Sequence, residues 1–306
     1  MIKTSIIVTT YNRPDALHAV LDSLAQQTHA PGEVLVADDG SGPQTAQCVQ
    51  FWQTRVRFAL HHAWQHDNGF RAGAVRNRAI AHSSADYLIF LDGDCLAFPD
   101  FVRRHLELAE PGWFLVGNRV LLNQSLTERI LSGLENPFRW SPWQWLRARG
   151  RAETNRLAPL LRVSDGLWRK CRRQRWQGVH SCNLGVWRND AIAINGFDER
   201  YQGWGHEDAD LIVRLLRRGI RRKDGQCAVP VAHLWHEKND RSKETENRER
   251  LKSVVENSNA IRAIHGVDQY LDHRSQMPPG NASLEGLRHG ICGPETGLDQ
   301  TEGVRP

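Results

Sequence analysis

The sequence predicts an α/β fold, with a mostly parallel sheet flanked by helices on both faces. Two observations carry this. Strand-like runs alternate with segments of helical spacing through the first third of the chain, which implies parallel strands joined by helical crossovers. Three of those runs end in polar clusters, Thr9-Thr10-Tyr11-Asn12, Asp38-Asp39 and Asp92-Gly93-Asp94. Open parallel sheets bind ligands beyond the carboxyl ends of their strands.

The elements follow in order. SIIVTTYN (5–12) is a β-branched run, and residues 13–27 have helical spacing with Pro14 early, where helices tolerate it. EVLVADDGSG (33–42) is a second strand, RVRFALHH (55–62) a third, RAGAVRNRAIAHSS (71–84) a helix and DYLIFLD (86–92) a fourth strand. WFLVGNRVLL (113–122) reads as one strand, and SCNLGVWR (181–188) as another. Residues 203–219 give a Gly/Trp turn and then a helix with acids first and bases last, matching the helix dipole. AVPVAHLWHEKND (228–240) is a strand ending in two His, and 241–266 a charged helix. From about Gln276 the composition is that of a disordered tail, 276–306. Residues 1–110 and 111–270 are read as two halves of one domain.

Composition narrows the class. A chain of 306 residues can bury a large core. No run reaches the ~18 apolar residues of a membrane span. The N-terminal MIKTSIIVTTYN reads as a first strand and not as a secretion signal. Six Cys show no CxxC pair and no zinc spacing, so reduced thiols in the cytoplasm are expected. The net charge of +5 is uneven: residues 138–176 hold eleven Lys/Arg against Glu153 and Asp165, with five Trp among them. That segment is either a solvated surface or a contact for an anionic membrane. No nucleic-acid partner is expected.

Several residues could carry chemistry. Asp92 and Asp94, two apart in an extended chain, face one side, and Gly93 would let a ligand approach. Paired carboxylates suit Mg²⁺ or Mn²⁺ with substrate phosphates, although DGD is also good turn chemistry. His233 and His236 are spaced i, i+3, which does not put both on one strand face, so different roles are expected. One imidazole in the site would favour Mn²⁺ over Mg²⁺. Glu207 and Asp208 open a helix after Gly203-Trp204-Gly205. A Trp exposed at that bend can stack on a sugar, with a carboxylate beside it to take a proton. Asp38 or Asp39 could accept from a base or a ribose. Arg71 and Arg76 could meet phosphates or a base.

Taken in order, these motifs resemble glycosyltransferase family 2, with the GT-A fold and its Rossmann-like sheet. SIIVTTYNRPDAL resembles the family's first strand and nucleotide-contacting loop, which implies donor contacts at Thr10, Tyr11, Asn12 and Arg13. VLVADDGSG, NGFRAGAVRNRAI and FLDGDC resemble the segments that follow, the last being the DxD motif. NGFDERYQGWGHEDADLIVRLLRRG is similar to the C-terminal motif of β-1,4-galactosyltransferases and chondroitin polymerases. It implies Trp204 and Gly205 at the acceptor, Asp208 as catalytic base and Glu207 beside it. HLWH falls where relatives complete the metal site, and its second His, His236, best matches the ligand. Asp94, His236 and a supporting Asp92 would then hold Mn²⁺ (or Mg²⁺) and the donor diphosphate. His206 departs from the Gly common in relatives, and 138–176 carries no motif that can be placed.

The resemblance implies an inverting, metal-dependent transfer from a nucleoside diphosphate sugar, a UDP-sugar by default, to a glycan or glycolipid. Lipopolysaccharide or surface polysaccharide synthesis at the inner face of the plasma membrane is the expected setting. A dTDP-rhamnose-type donor, a sugar-phosphate nucleotidyltransferase and a non-catalytic glycan-binding subunit are the alternatives.

Overall fold

The computed structural model describes residues 2–237 and 239–271; the tail expected over 276–306 lies outside them. The strands are β1 (Thr4–Thr10), β2 (Glu33–Asp38), β3 (Ala59–Trp64), β4 (Tyr87–Asp92), β5 (Cys95–Ala97), β6 (Trp113–Val116), β7 (Asn118–Leu121), β8 (Asn183–Trp187), β9 (Arg221–Asp224) and β10 (Pro230–His233). The helices are α1 (Pro14–Ala25), α2 (Pro43–Gln53), α3 (Ala72–His82), α4 (Phe101–Leu108), α5 (Gln124–Leu131), α6 (Pro142–Gly150), α7 (Arg188–Ala193), α8 (Glu207–Arg217), α9 (Glu244–Glu256) and α10 (Asp268–Leu271).

Seven strands form the main sheet in the order β3-β2-β1-β4-β8-β6-β9, and β5-β10-β7 form a second. β1 to β4 are parallel, and β8 runs against β4 and β6. Alternation decides which side chain meets which layer. Ile6 and Val8 of β1 pack with Leu17 and Leu21 of α1, while Ile7 packs with Val75 and Ile80 of α3. On β4, Ile89 and Leu91 join the first layer, and Leu88 and Phe90 the second. Asp92 continues the parity of Leu88 and Phe90, so its carboxylate turns toward α3. Thr9 is its register partner on β1.

Two reversals build the rest of the site edge. Because β8 is antiparallel, Asn183 pairs with Leu91, and residues just before β8 arrive beside Asp92. On the second sheet, His233 pairs with Cys95, which delivers His233 to Asp94.

The strand expected over 113–122 is two strands in two sheets. Gly117 is the joint: its N–H donates to the Asn183 carbonyl at 2.9 Å, and a Cβ there would fall 2.2 Å from the Asn183 side chain. The third strand, expected at 55–62, runs 59–64. Val56 and Phe58 instead pack against the core ahead of it. Helices α2, α4 and α5 were not foreseen. α4 buries Phe101, Val102, His105 and Leu108 along one helical stripe, a pattern its charged neighbours obscure. α6 starts at Pro142, with Gln144 Oε1 accepting the Ser141 N–H at 2.8 Å.

Candidate active site

The carboxyl ends of β1, β2 and β4 border a cleft of about 1070 Å³. Its lining includes Thr10, Tyr11, Arg13, Asp39, Asp92 and Asp94 from the first half, and Trp204, Gly205, Glu207, Asp208 and His236 from the second.

At the metal-like end, Asp94 lies between two imidazoles. His233 Nε2 is 3.6 Å from Asp94 Oδ1, and His236 Nε2 is 3.4 Å from Oδ2. This corrects the expectation that the two His diverge. β10 ends at His233, so period-2 alternation no longer applies, and the turn brings His236 back. His236 Nδ1 sits 2.6 Å from the Glu237 carbonyl. A carbonyl only accepts, so Nδ1 carries a proton and Nε2 is the nitrogen turned toward Asp94. Burial lowers the pKa of His233, keeping it neutral. The buried Cys95 thiol also reaches this cluster, but burial raises its pKa well above the usual thiol value, so it stays protonated there. Asp94 with two imidazoles is a donor set that fits a divalent cation accepting nitrogen as well as oxygen.

Gly93 lines the cleft, and it is also packed against β1. Its N–H donates to the Thr9 carbonyl at 2.7 Å, and a Cβ would meet that oxygen at 2.8 Å.

Arg76 joins the two halves of the site. Its buried guanidinium donates to Thr9 Oγ1 at 2.9 Å, Asp92 Oδ1 at 3.1 Å and Glu207 Oε1 at 3.3 Å, and Asp208 Oδ1 lies 3.8 Å away. Those protein groups occupy the donors expected to meet a phosphate or a base. Arg76 therefore aligns carboxylates from β4 and α8. It also leaves Asp92 less free to hold a cation than Asp94.

Asp208 is the carboxylate left available. Its Oδ2 accepts the Ser181 N–H at 3.0 Å, and its buried Oδ1 has no hydrogen-bond partner. Glu207 is the more buried neighbour. Burial, reinforced by Asp208 and opposed by Arg76, pushes its pKa up to about 7. The fold thus keeps a proton on Glu207 that the unfolded chain has released. Stability falls as pH rises from about 4.5 to about 7. Glu207→Gln removes this cost: its Tm exceeds wild type by roughly 3 °C near pH 8. The gain fades below the ordinary glutamate pKa. Thermal melts across pH check this, and a pH-independent difference would refute it.

At the opposite end, Asp39 lines the cleft with its carboxylate drawn to the Arg71 N–H and Gln65 Nε2, both at 2.6 Å. Burial raises its pKa. Thr10 Oγ1 is buried without a partner, an orphan that a bound ligand could satisfy. Tyr11 donates to Asp67 at 2.8 Å, and Arg13 pairs with Asp15 at 2.9 Å. Three expected contacts point elsewhere. Asp38 is fully buried, accepting from the Ser41 N–H and meeting His62, both at 2.8 Å. The Asn12 N–H donates to Ser41 Oγ, while its Oδ1 accepts the Gly42 N–H. Arg71 donates to the His66 carbonyl at 2.6 Å. All three shape the loops around the cleft.

Trp204 lines the cleft, but the Arg241 guanidinium lies 4.3 Å from its ring centroid. A ring stacking on Trp204 would have to displace Arg241 or use the other face. His206 has φ +74°, a left-handed conformation that Gly adopts without steric cost. Sequence reasoning missed Arg119 and Ser181. Arg119 enters the cleft from β7, with Cys182 Sγ at 3.6 Å as its side-chain hydrogen-bond partner. Ser181 acts through a backbone amide, which leaves no residue-type signal.

A model described as glycosyl transferase family 2 matches residues 5–167, more than half of the chain. The chain belongs to glycosyltransferase family 2. A second model, the N-terminal domain of galactosyltransferase, matches residues 167–237, so the C-terminal resemblance also holds. This family member is 32% identical over 224 residues to a validoxylamine A glucosyltransferase of Streptomyces hygroscopicus subsp. limoneus, covering 71% of this chain and 48% of that one. It is 26% identical over 245 residues to a chondroitin synthase of Escherichia coli, covering 73% and 34%. The chain thus spans about half, or less, of these relatives. A Pyrobaculum calidifontis mannosyltransferase solved with GDP-Man and Mn²⁺ superposes with a TM-score of 0.51 at 18% identity, covering 78% of this chain and 58% of that one. At that identity the likeness shows the fold alone, which is GT-A.

Proposed function

We propose that this chain moves a sugar, with inversion, from a nucleoside diphosphate sugar to a hydroxyl of a glycan or glycolipid. The observation that carries the reading is Asp208: one oxygen held by Ser181, the other without a hydrogen bond and 3.8 Å from Arg76, in the same cleft as Asp94 and its two imidazoles. Residues 1–110 form the donor half and 111–270 the acceptor half. Asp94, His233 and His236 would hold a divalent cation, which would supply Lewis-acid neutralisation of the departing diphosphate.

The chain's own groups do the rest. Thr10, Tyr11, Arg13 and Asp39 receive the nucleotide end. Arg76 holds Asp92 and Glu207 in place beside Asp208. Asp208 takes the acceptor hydroxyl proton at Oδ1 as the oxygen attacks the anomeric carbon opposite the leaving group. The charge developing there resembles an oxocarbenium ion. With direct displacement, no protein nucleophile is needed.

The first donors to test are UDP-sugars, then GDP- and dTDP-sugars. The setting that fits is surface polysaccharide or lipopolysaccharide synthesis on the cytoplasmic side of a membrane, with peripheral contact through 138–176. A thermal-shift screen with Mn²⁺ tests the donor class. At about 100-fold excess over Kd, the right donor stabilises by roughly 2.7 kcal/mol, a shift of several degrees. If no nucleoside diphosphate sugar moves Tm, the reading fails. Donor hydrolysis by the pure protein excludes a merely glycan-binding subunit.

A further inference from the structure

Nothing in the transfer chemistry uses the outward face of residues 138–176. Trp143 is 78% exposed, Leu146 52%, Leu161 61% and Leu167 84%. Isolated exposed apolar residues are ordinary, but several large ones on one short segment mark an interaction surface. On α6, Trp143, Leu146 and Arg147 follow i, i+3, i+4 spacing and share a face. The other face buries Trp145 and Ala148. Trp145 and Arg162 both pack on Phe98, which draws Leu161 toward α6.

The charge is as uneven as the exposure. Arg162, Arg169, Lys170 and Arg172 have acidic partners. Among the described residues, no carboxylate pairs with Arg147, Arg149, Arg151, Arg173 or Arg175, all of them exposed. Unpaired guanidinium groups interspersed with exposed Trp and Leu complement an anionic lipid interface. Arginine forks onto phosphate oxygens, indole rings settle at headgroup depth, and leucines reach the acyl boundary. The segment is also tied to the cleft at both ends. Leu131 of α5 lines it just before the segment, and Trp176 to Ser181 line it at the far end.

We propose that this face docks on an anionic bilayer and seats the acceptor end of the cleft beside the headgroups. The acceptor class is then a membrane-embedded glycolipid. This rests on the glycosyl-transfer reading, but the two fail separately: that one in donor binding, this one in vesicle partition.

The test is flotation of the full chain with phosphatidylglycerol/phosphatidylcholine vesicles and with phosphatidylcholine alone. Wild type floats with the first, is released by salt, and partitions at least about tenfold less onto the second. Trp143→Ser with Leu146→Ser, and separately Arg147→Gln with Arg149→Gln and Arg151→Gln, each lower partition by about tenfold or more. Both variants keep the wild-type circular dichroism spectrum and Tm. A wild type that does not float overturns the proposal. So does partition that both variants retain, or binding to immobilised heparin without any to vesicles.

Discussion

Asp208→Asn lowers kcat by about 10³-fold while leaving donor Kd within about twofold. The side-chain amide keeps the shape, and its oxygen still accepts the Ser181 N–H. Arg76 retains Thr9, Asp92 and Glu207 as partners. What is lost is the negative charge facing Arg76 at 3.8 Å and, with it, a lone pair basic enough to take the acceptor proton at Oδ1. Steady-state rates with acceptor present, beside calorimetric donor binding, separate chemistry from binding. Turnover close to wild type would remove Asp208 from the base role. Equal losses in kcat and donor affinity would make it a structural residue.

Asp94→Ala, or EDTA treatment, abolishes Mn²⁺-supported turnover, by about 10³-fold or more. Asp94 makes its close approaches to His233 and His236 through opposite oxygens, so its loss removes the centre of the donor set. His236→Ala raises the Mn²⁺ concentration for half activation by about 10- to 100-fold. His236 is partly exposed, with its side chain 31% accessible, so that substitution leaves Tm near wild type. His233→Ala weakens Mn²⁺ activation too, and it also lowers Tm, because the ring is tucked against β5. Metal-activation curves and melts on the three variants check this. Undiminished turnover after EDTA would sink the metal assignment.

Much of the fold was legible. Strand runs at 5–12, 33–42 and 86–92 correspond to β1, β2 and β4. The acid-first, base-last pattern after Gly205 corresponds to α8. These elements have strong local signals: β-branched runs, dipole-matched charges and Gly punctuation. The region 113–122 was not legible as two strands. Gly117 looks locally like any strand glycine, and its role depends on Asn183, which arrives from a distant strand.

The same division runs through the site. Residue type and spacing marked Asp38 or Asp39, Asp92, Asp94, Trp204, Glu207 and Asp208, and the two His as site candidates, and the family resemblance singled out Asp208 and His236 among them. Only the tertiary structure decided which carboxylates reach the cleft and how each is held. Asp38 and Asp39 are adjacent and both accept two hydrogen bonds, yet Asp38 is turned away under Ser41 and His62 while Asp39, held by Arg71 and Gln65, lines the cleft. Glu207 and Asp208 are adjacent, yet Arg76 holds the first and Ser181 leaves one oxygen of the second open. Local sequence sets backbone conformation and the face a side chain takes. Whether a polar atom is satisfied or left to react depends on groups that packing brings from elsewhere in the chain, 24 residues away for His62 and Asp38, 27 for Ser181 and Asp208, and 131 for Arg76 and Glu207.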